Sequence, residues 1–280
     1  MAFPKHVVVV IGCGGMGLAV ARRLGSGSHL LLADFSQTQL YTAAQTLQNE
    51  GHDVETLLTD ISKQNSVEIL AQRAAQLGPI RVIAHTAGLS PQQAPLDCIY
   101  SVDLLGTAHV IDSFVSIASP GTSLVVIASL AGHLAQADLS SDLERHLATA
   151  PASALLSHPD LEVIRSKSNA ESAAFRGYQV SKRGNILRVQ ASAAAWGKKG
   201  ARINSISPGF ILTPMGHQEL AGPLHDQLHE ATVSNPIPRA GTAADIANVV
   251  AFLSSPDASF ITGTDLLVDG GWLTAMRWKE

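Results

Sequence analysis

The chain predicts a doubly wound α/β fold, a parallel sheet with helices on both faces, in one domain over residues 1–280. Three observations predict it. Short β-branched apolar runs, such as Val7-Val8-Val9-Val10-Ile11 and Leu124-Val125-Val126-Ile127-Ala128, alternate with stretches of helical pattern. A glycine-rich turn, Gly12-Cys13-Gly14-Gly15-Met16-Gly17, directly follows the first run and opens the helical Leu18-Ala19-Val20-Ala21. The 280 residues, 46% hydrophobic and undivided by a linker or charge block, suffice for one large core.

Taken in order, Val7 to Ile11 suits a central strand buried on both faces. The glycines after it permit a tight turn. They also let a pyrophosphate reach backbone amides at a helix N-terminus, where the dipole favours negative charge. The second strand, His29 to Ala33, closes with Asp34, 22 residues beyond Gly12. That is about the separation of an acid that binds an adenosine ribose 2′-hydroxyl and repels a 2′-phosphate. Phe35 and Ser36 follow, with no basic residue, so NAD is the expected cofactor. The competing reading has Asp34 and Ser36 capping the next helix. A third strand, Val54 to Leu58, ends at Thr59-Asp60-Ile61, where Asp60 also reads as a helix cap before Ser62. The fourth, Ile80 to Ala84, leads into His85-Thr86-Ala87-Gly88; Ala87 and Gly88 let the backbone pass close to a ligand, and His85 reads as a structural hydrogen-bonding residue.

A helix from Arg176 to Trp196 places Tyr178 and Lys182 on one face, one turn apart. A phenol, with an ordinary pKa near 10, is a poor base at neutral pH, but a neighbouring ammonium stabilises its phenolate. Ser129, at the end of the fifth strand, adds a hydroxyl to hold a substrate oxygen. Such a trio protonates a carbonyl or deprotonates an alcohol. Taken alone, the Tyr-x-x-x-Lys spacing equally describes a solvated helix face.

The order along the chain decides between these. The glycine-rich turn, Ala87-Gly88, Ser129, Tyr178-x-x-x-Lys182 and Pro208-Gly209 together resemble the short-chain dehydrogenase/reductase family across nearly the whole chain. The resemblance implies a Rossmann-type fold, with Tyr178 transferring the proton, Ser129 binding the substrate oxygen and Lys182 binding the nicotinamide ribose. It further implies that Asp60 and Ile61 meet the adenine. The backbone at Ile211 would face the carboxamide, and Thr213 would bind a phosphate or the carboxamide. Ser101 to Thr107 matches the family's asparagine-containing segment, with Asp103 in the asparagine's place. That asparagine helps hold a water in a relay to the lysine; a carboxylate keeps the acceptor, adds charge and loses the amide donors. Asp103 is thus a catalytic-support candidate. The glycine turn also departs from the family, since Gly12 precedes Gly15 by three residues rather than four and Ile11 replaces the usual Thr or Ser.

Between Ser129 and Tyr178 lie 48 residues, far more than the family's usual connection. This insertion, 130–177, should carry short helices such as Leu139 to Ala150 and act as a lid, an oligomer interface or a surface decoration. With Ala87 to Gln92, Ala193 to Gly197, Arg202 to Gly209 and Val268 to Gly271, it makes the chain similar to the branch of bacterial 3α-hydroxysteroid dehydrogenase/carbonyl reductases. A flap over residues 210–235, with Leu212, Met215, Leu220 and Leu224, would cover the substrate. His225 and His229 share the spacing of a metal pair but lack a third ligand, so no metal is expected. A helix from Thr242 to Leu253 and a strand from Asp265 to Val268 complete the fold.

The formal charge of −4 is spread without runs, which argues against a nucleic-acid surface or an electrostatic membrane anchor. No apolar run near the N-terminus is long enough to span a bilayer, and a cytoplasmic location is expected. Cys13 and Cys98 supply no disulfide framework and read as small buried or half-buried side chains. The expected activity is NAD-dependent hydride transfer between nicotinamide and a hydrophobic secondary alcohol or ketone, in a homodimer or homotetramer. A cofactor-binding regulator with little turnover and a non-redox dehydratase or isomerase are the rival readings.

Overall fold

The computed structural model describes residues 5–222, 226 and 232–278. β1 (Val7–Ile11) is buried at every position and is the third strand, an interior one, of a seven-stranded parallel sheet. Its alternate side chains divide between two cores: Val7, Val9 and Ile11 pack on one face, Val8 and Val10 on the other. A five-residue apolar run is what a strand covered on both sides requires. The chain continues through α1 (Gly15–Leu24), β2 (His29–Asp34), α2 (Gln37–Asn49), β3 (Asp53–Leu58), α3 (Gln64–Leu77) and β4 (Ile80–His85).

A continuous helical rod follows: α4 (Leu96–Ile99), a π-helical segment at Tyr100–Gly106 and α5 (Thr107–Ile117). Among the described residues this rod, Leu96–Ile117, is long and apolar enough to cross a membrane, yet two-thirds of it is buried against the protein's own helices, as a core helix would be. Then come β5 (Ser123–Ile127), α6 (Leu130–Ala135), α7 (Ser141–Thr149), α8 (Pro159–Arg165) and the 28-residue α9 (Ala170–Gly197). β6 (Arg202–Pro208), β7 (Ile211–Leu212), α10 (Pro214–Leu220), β8 (Gly241–Thr242), α11 (Ala243–Ser254), β9 (Asp265–Val268) and α12 (Trp272–Arg277) complete the described elements.

The strand order is β3-β2-β1-β4-β5-β6-β9, with β7 and β8 forming a separate parallel pair. The order reverses between β1 and β4, so a ligand crevice opens beyond the strands' C-terminal ends. Asp34, His85, Ser129, Pro208 and Asp269 all end or follow strands at that edge.

Several sequence expectations are corrected. α9 begins at Ala170, six residues before Arg176, because the Asn169 side chain accepts from the Ser172 amide at 2.9 Å and starts the helix there. Asp60 does not cap α3, whose N-cap is Lys63; its Oδ1 instead accepts from the Ser62 amide at 3.0 Å and from the Ser62 hydroxyl at 2.6 Å. Cys98 is exposed on α4, while Cys13 is buried as expected. Leu224, His225 and His229 lie outside the described residues.

The inserted stretch folds into α6, α7, α8 and the start of α9. Leu143, Leu147, Leu155, Leu161 and Ile164 are buried with Tyr100, Leu104 and Val180 in a third apolar cluster. Two glycines in α9, seven residues apart, permit this approach. A side chain on Gly177 would meet Leu96 Cδ1 at 2.0 Å, and one on Gly184 would meet Leu104 Cδ1 at 2.7 Å. Arg188 then fastens the end of α7 by donating from Nη2 to the Ala150 carbonyl at 2.6 Å.

Candidate active site

β5 ends one residue before Ala128, whose amide still donates to the Ile206 carbonyl at 2.8 Å. Ser129 is thereby held at the sheet edge, where it caps α6 by accepting from the Ala131 amide at 3.2 Å. α9 packs against α6 and brings Tyr178 close enough to Ser129 for the serine hydroxyl to favour its phenolate. One turn on, the Lys182 ammonium lies 5.5 Å from the centre of the Tyr178 ring. The three residues read from the sequence are therefore together.

The π-helical segment brings in Asp103. Its wider turn sits beside α9, and Asp103 Oδ2 lies 3.2 Å from Lys182 Nζ, both side chains almost wholly buried. Asp103 Oδ1 accepts from the Leu89 amide at 2.8 Å. A side chain on Gly88 would meet Lys182 Nζ at 3.0 Å and Asp103 Oδ2 at 3.4 Å, so Gly88 makes room for this ion pair. Burial alone would lower the Lys182 ammonium, but Asp103 and then Tyr178 reverse this and hold it above its ordinary value. Lys182 thus stays charged.

Tyr178 responds differently from the sequence expectation. Burial pushes its hydroxyl above the ordinary value; Lys182 and the Ser129 hydrogen bond pull down, while Asp103 and Glu219 push up. The lysine acts in the direction expected, but burial outweighs it, and Asp103 sets a negative charge against the lysine's positive one.

His85 has the structural role read for it. Thr107 Oγ1 donates to the Asp103 carbonyl at 2.8 Å, so His85 Nε2, 3.0 Å from the same hydroxyl, carries the proton. Burial holds the imidazole down to about 3, with Lys182 acting in the same direction, so it is neutral.

The glycine turn fits an anionic dinucleotide. Gly12 has φ +93°, and a side chain there would lie 2.5 Å from the Ala87 amide nitrogen. Gly17 packs so closely that an added Cβ would fall 1.8 Å from the Gly12 carbonyl oxygen. Gly14, by contrast, is the N-cap of α1, provides no side-chain cap, and faces open space with nothing within 4 Å of an added Cβ. The first-turn amides of Gly15, Met16 and Gly17 are left for a ligand to satisfy. The shortened turn keeps this geometry.

Asp34 stands beside that turn, its Oδ2 accepting from the Cys13 amide at 2.7 Å and its Oδ1 from the Ser36 amide at 2.8 Å. Ser36 itself caps α2 by accepting from the Gln39 amide at 3.3 Å, so the cap is the serine's work. Each Asp34 oxygen keeps a lone pair for a ribose hydroxyl. The Cys13 thiol, buried beneath the turn, is pushed up to about 12 by desolvation and then by Asp34, and is inert. Ile61 packs its side chain in the core against Gly106, leaving the half-buried Asp60 as the more accessible of that pair. Gly209 lies against Asp269, 2.8 Å from an added Cβ, and Thr213 caps α10 by accepting from the Gly216 amide at 3.2 Å while touching Gly15.

Ser129 and Tyr178 open on a cavity of about 390 Å³ that Met16, Ile127, Phe175, Phe210, Ile211 and Trp272 help to line. Three of its features were not singled out from the sequence. Phe175 lies one turn before Tyr178, Trp272 opens α12, and Glu219 is an acid on α10. Among the described residues no group of three or more His, Cys, Asp or Glu is arranged to hold a metal.

A parallel dinucleotide-type sheet joined to a Ser–Tyr–Lys proton-transfer group defines a class of nicotinamide-linked oxidoreductase, and comparison with known proteins agrees. Residues 5–141 match the short chain dehydrogenase family, and residues 161–273 match the family described as enoyl-(acyl carrier protein) reductase. The chain is 39% identical over 270 residues to the short-chain dehydrogenase/reductase bsc3 of Alternaria brassicicola, covering 96% of each. It is 28% identical over 281 residues to the 3-alpha-hydroxysteroid dehydrogenase/carbonyl reductase of Comamonas testosteroni, covering 97% of this chain and 98% of that one. The crystal structure of levodione reductase superposes with a TM-score of 0.76 at 27% identity, covering 98% of this chain and all of that one. The chain belongs to the short-chain dehydrogenase/reductase family, whose members bind nicotinamide cofactors and act on small alcohols or ketones.

Proposed function

We propose that the protein is an NAD-dependent oxidoreductase that interconverts a hydrophobic secondary alcohol and its ketone. The observation that carries this reading is the position of Tyr178, beside Lys182 and lining with Ser129 the same largely apolar cavity. In the oxidising direction Ser129 holds the alcohol oxygen and the Tyr178 phenolate takes its proton. A bound nicotinamide ring would supply the acceptor for the hydride that leaves the carbinol carbon. Lys182 holds its charge through Asp103 and steadies the phenolate; the α1 amides and Asp34 would secure the pyrophosphate and adenosine ribose. Asp34 supports NAD over NADP because its carboxylate repels a 2′-phosphate.

The test is nicotinamide absorbance change by the purified protein over cyclic and steroidal alcohols and ketones, with NAD(H) and NADP(H) in parallel. Turnover favouring NAD(H) is expected. NADH binding without redox turnover across the panel would overturn this reading.

A further inference from the structure

Among the described residues that line the cavity, one charged side chain is left without a partner by the fold. Arg239, which lines it, donates from Nη1 and Nη2 to the two Asp245 oxygens at 2.8 and 2.9 Å. Asp269, also in the lining, accepts from the Gly271 amide through Oδ1 and the Leu273 amide through Oδ2, each at 2.8 Å. Glu219, on α10, has no side-chain hydrogen bond or ion pair among the described residues. It is half-buried among apolar groups, and burial pushes its carboxyl up. It is also near enough to Tyr178 for its charge to act on the phenol.

A carboxylate removed from water without a donor is unfavourable unless something satisfies it. Lys182, the cation nearest to the chemistry, is already paired with Asp103 at 3.2 Å, and Arg239 is held by Asp245. Among the described residues no donor meets Glu219, and a ligand in the cavity can supply one. We propose that Glu219 is a specificity residue that accepts a hydrogen bond from a donor group on the substrate, a hydroxyl or an ammonium, set away from the reacting carbon. This rests on the alcohol/ketone reading above and adds a substrate class to it: a hydrophobic ketone or alcohol with a second, donating substituent. The same charge selects against substrates bearing a carboxylate at that position. It also links recognition to chemistry, since a donor that offsets the Glu219 charge removes one of the groups that push Tyr178 up.

The experiment uses the full-length protein with NADH bound, as wild type, Glu219→Gln and Glu219→Leu. The probes are cyclohexanone and decalone, each unsubstituted or bearing a remote hydroxyl, amino or carboxylate group. Affinity is read by isothermal titration and turnover by nicotinamide absorbance, with melting temperature and NADH affinity as controls for folding. Wild type should bind the hydroxyl and amino probes about tenfold or more tighter than the plain ketones, and the carboxylates worst. Glu219→Gln should lose the amino preference and keep part of the hydroxyl preference, because an amide oxygen still accepts. Glu219→Leu should lose both.

Equal affinity of wild type for plain and donor-bearing probes overturns the proposal, as does a preference unchanged in both variants. Uniform weakening of every probe would make Glu219 merely structural, and a changed NAD/NADH affinity ratio without a change in probe preference would assign its charge to the cofactor; either result overturns it. Discrimination in binding without turnover would leave Glu219 its recognition role and remove the oxidoreductase reading. Turnover of plain ketones without discrimination would do the reverse.

Discussion

The Lys182 ammonium lies 3.2 Å from the Asp103 carboxylate, at the point where a π-helical turn meets α9. The base of this site is therefore influenced by a buried ion pair and not by a lone cation. Asp103 raises both Lys182 and Tyr178. Replacing Asp103 by Asn removes that charge while keeping an acceptor for the Leu89 amide, so the Tyr178 pKa should fall. The rising limb of alcohol-oxidation rate against pH should move to lower pH. A limb that stays in place would show that Asp103 does not influence the proton step.

How this pair escapes the sequence is instructive. The Tyr178–Lys182 spacing and the strand ending at Ser129 are local patterns, and so are the strands of the sheet, whose apolar runs are short and uninterrupted. Asp103 could be placed near the lysine only by resemblance, because the π-helical turn that carries it lies nearly eighty residues from Lys182 in sequence and meets it only in the folded chain. Gly177 and Gly184 were a legible signal that something approaches that helix closely. Their partners, Leu96 and Leu104, lie about eighty residues away in sequence, beyond the reach of periodicity. Glu219 is ordinary as a letter and becomes notable only once the cavity around it is closed.

Tyr178→Phe should lower turnover by about 10²-fold or more while NADH affinity changes little, since general acid–base groups contribute about that much. Steady-state rates beside a fluorescence titration with NADH check both parts. Full activity in the variant would remove Tyr178 from proton transfer.

Two glycines two residues apart in the same turn should behave in opposite ways: Gly12→Ala should damage the fold and Gly14→Ala should not. The first forces a side chain onto φ +93° and into the Ala87 amide, whereas the second projects into open space at the α1 N-terminus. Thermal unfolding should show Gly12→Ala destabilised by at least about 1–3 kcal/mol, with Gly14→Ala near wild type. Gly14→Ala should nevertheless weaken NADH binding, because its methyl enters the space a pyrophosphate would use. Normal NADH affinity there would argue against that placement.

Asp34→Asn should raise the preference for NADP(H) relative to NAD(H) by about tenfold or more, through loss of the charge that repels a 2′-phosphate. The ratio of kcat/KM values for the two cofactors measures it. An unchanged ratio would mean that selection lies elsewhere in the adenosine site.

Leu147→Ala should destabilise the protein by about 2–5 kcal/mol, because the side chain is fully buried where α7 meets α9. Chemical denaturation is the measurement. A loss within error would show that α7 adds little to the stability of the core.

The cluster formed by the insertion has a bearing on how such a chain can diversify. Ser129 is fixed by β5 and its neighbour β6, and Tyr178 by a helix whose later turns are buried in the sheet's own core. The stretch between them closes over Leu143, Leu147, Leu155, Leu161 and Ile164, sharing Tyr100, Leu104 and Val180 with the rest. Residues outside that cluster, such as the exposed Ser166 to Ser168, can lengthen, shorten or change without shifting the two hydroxyls relative to each other. Descendants of this sequence are thus free to vary the surface of the inserted stretch while the chemistry beneath it is inherited intact.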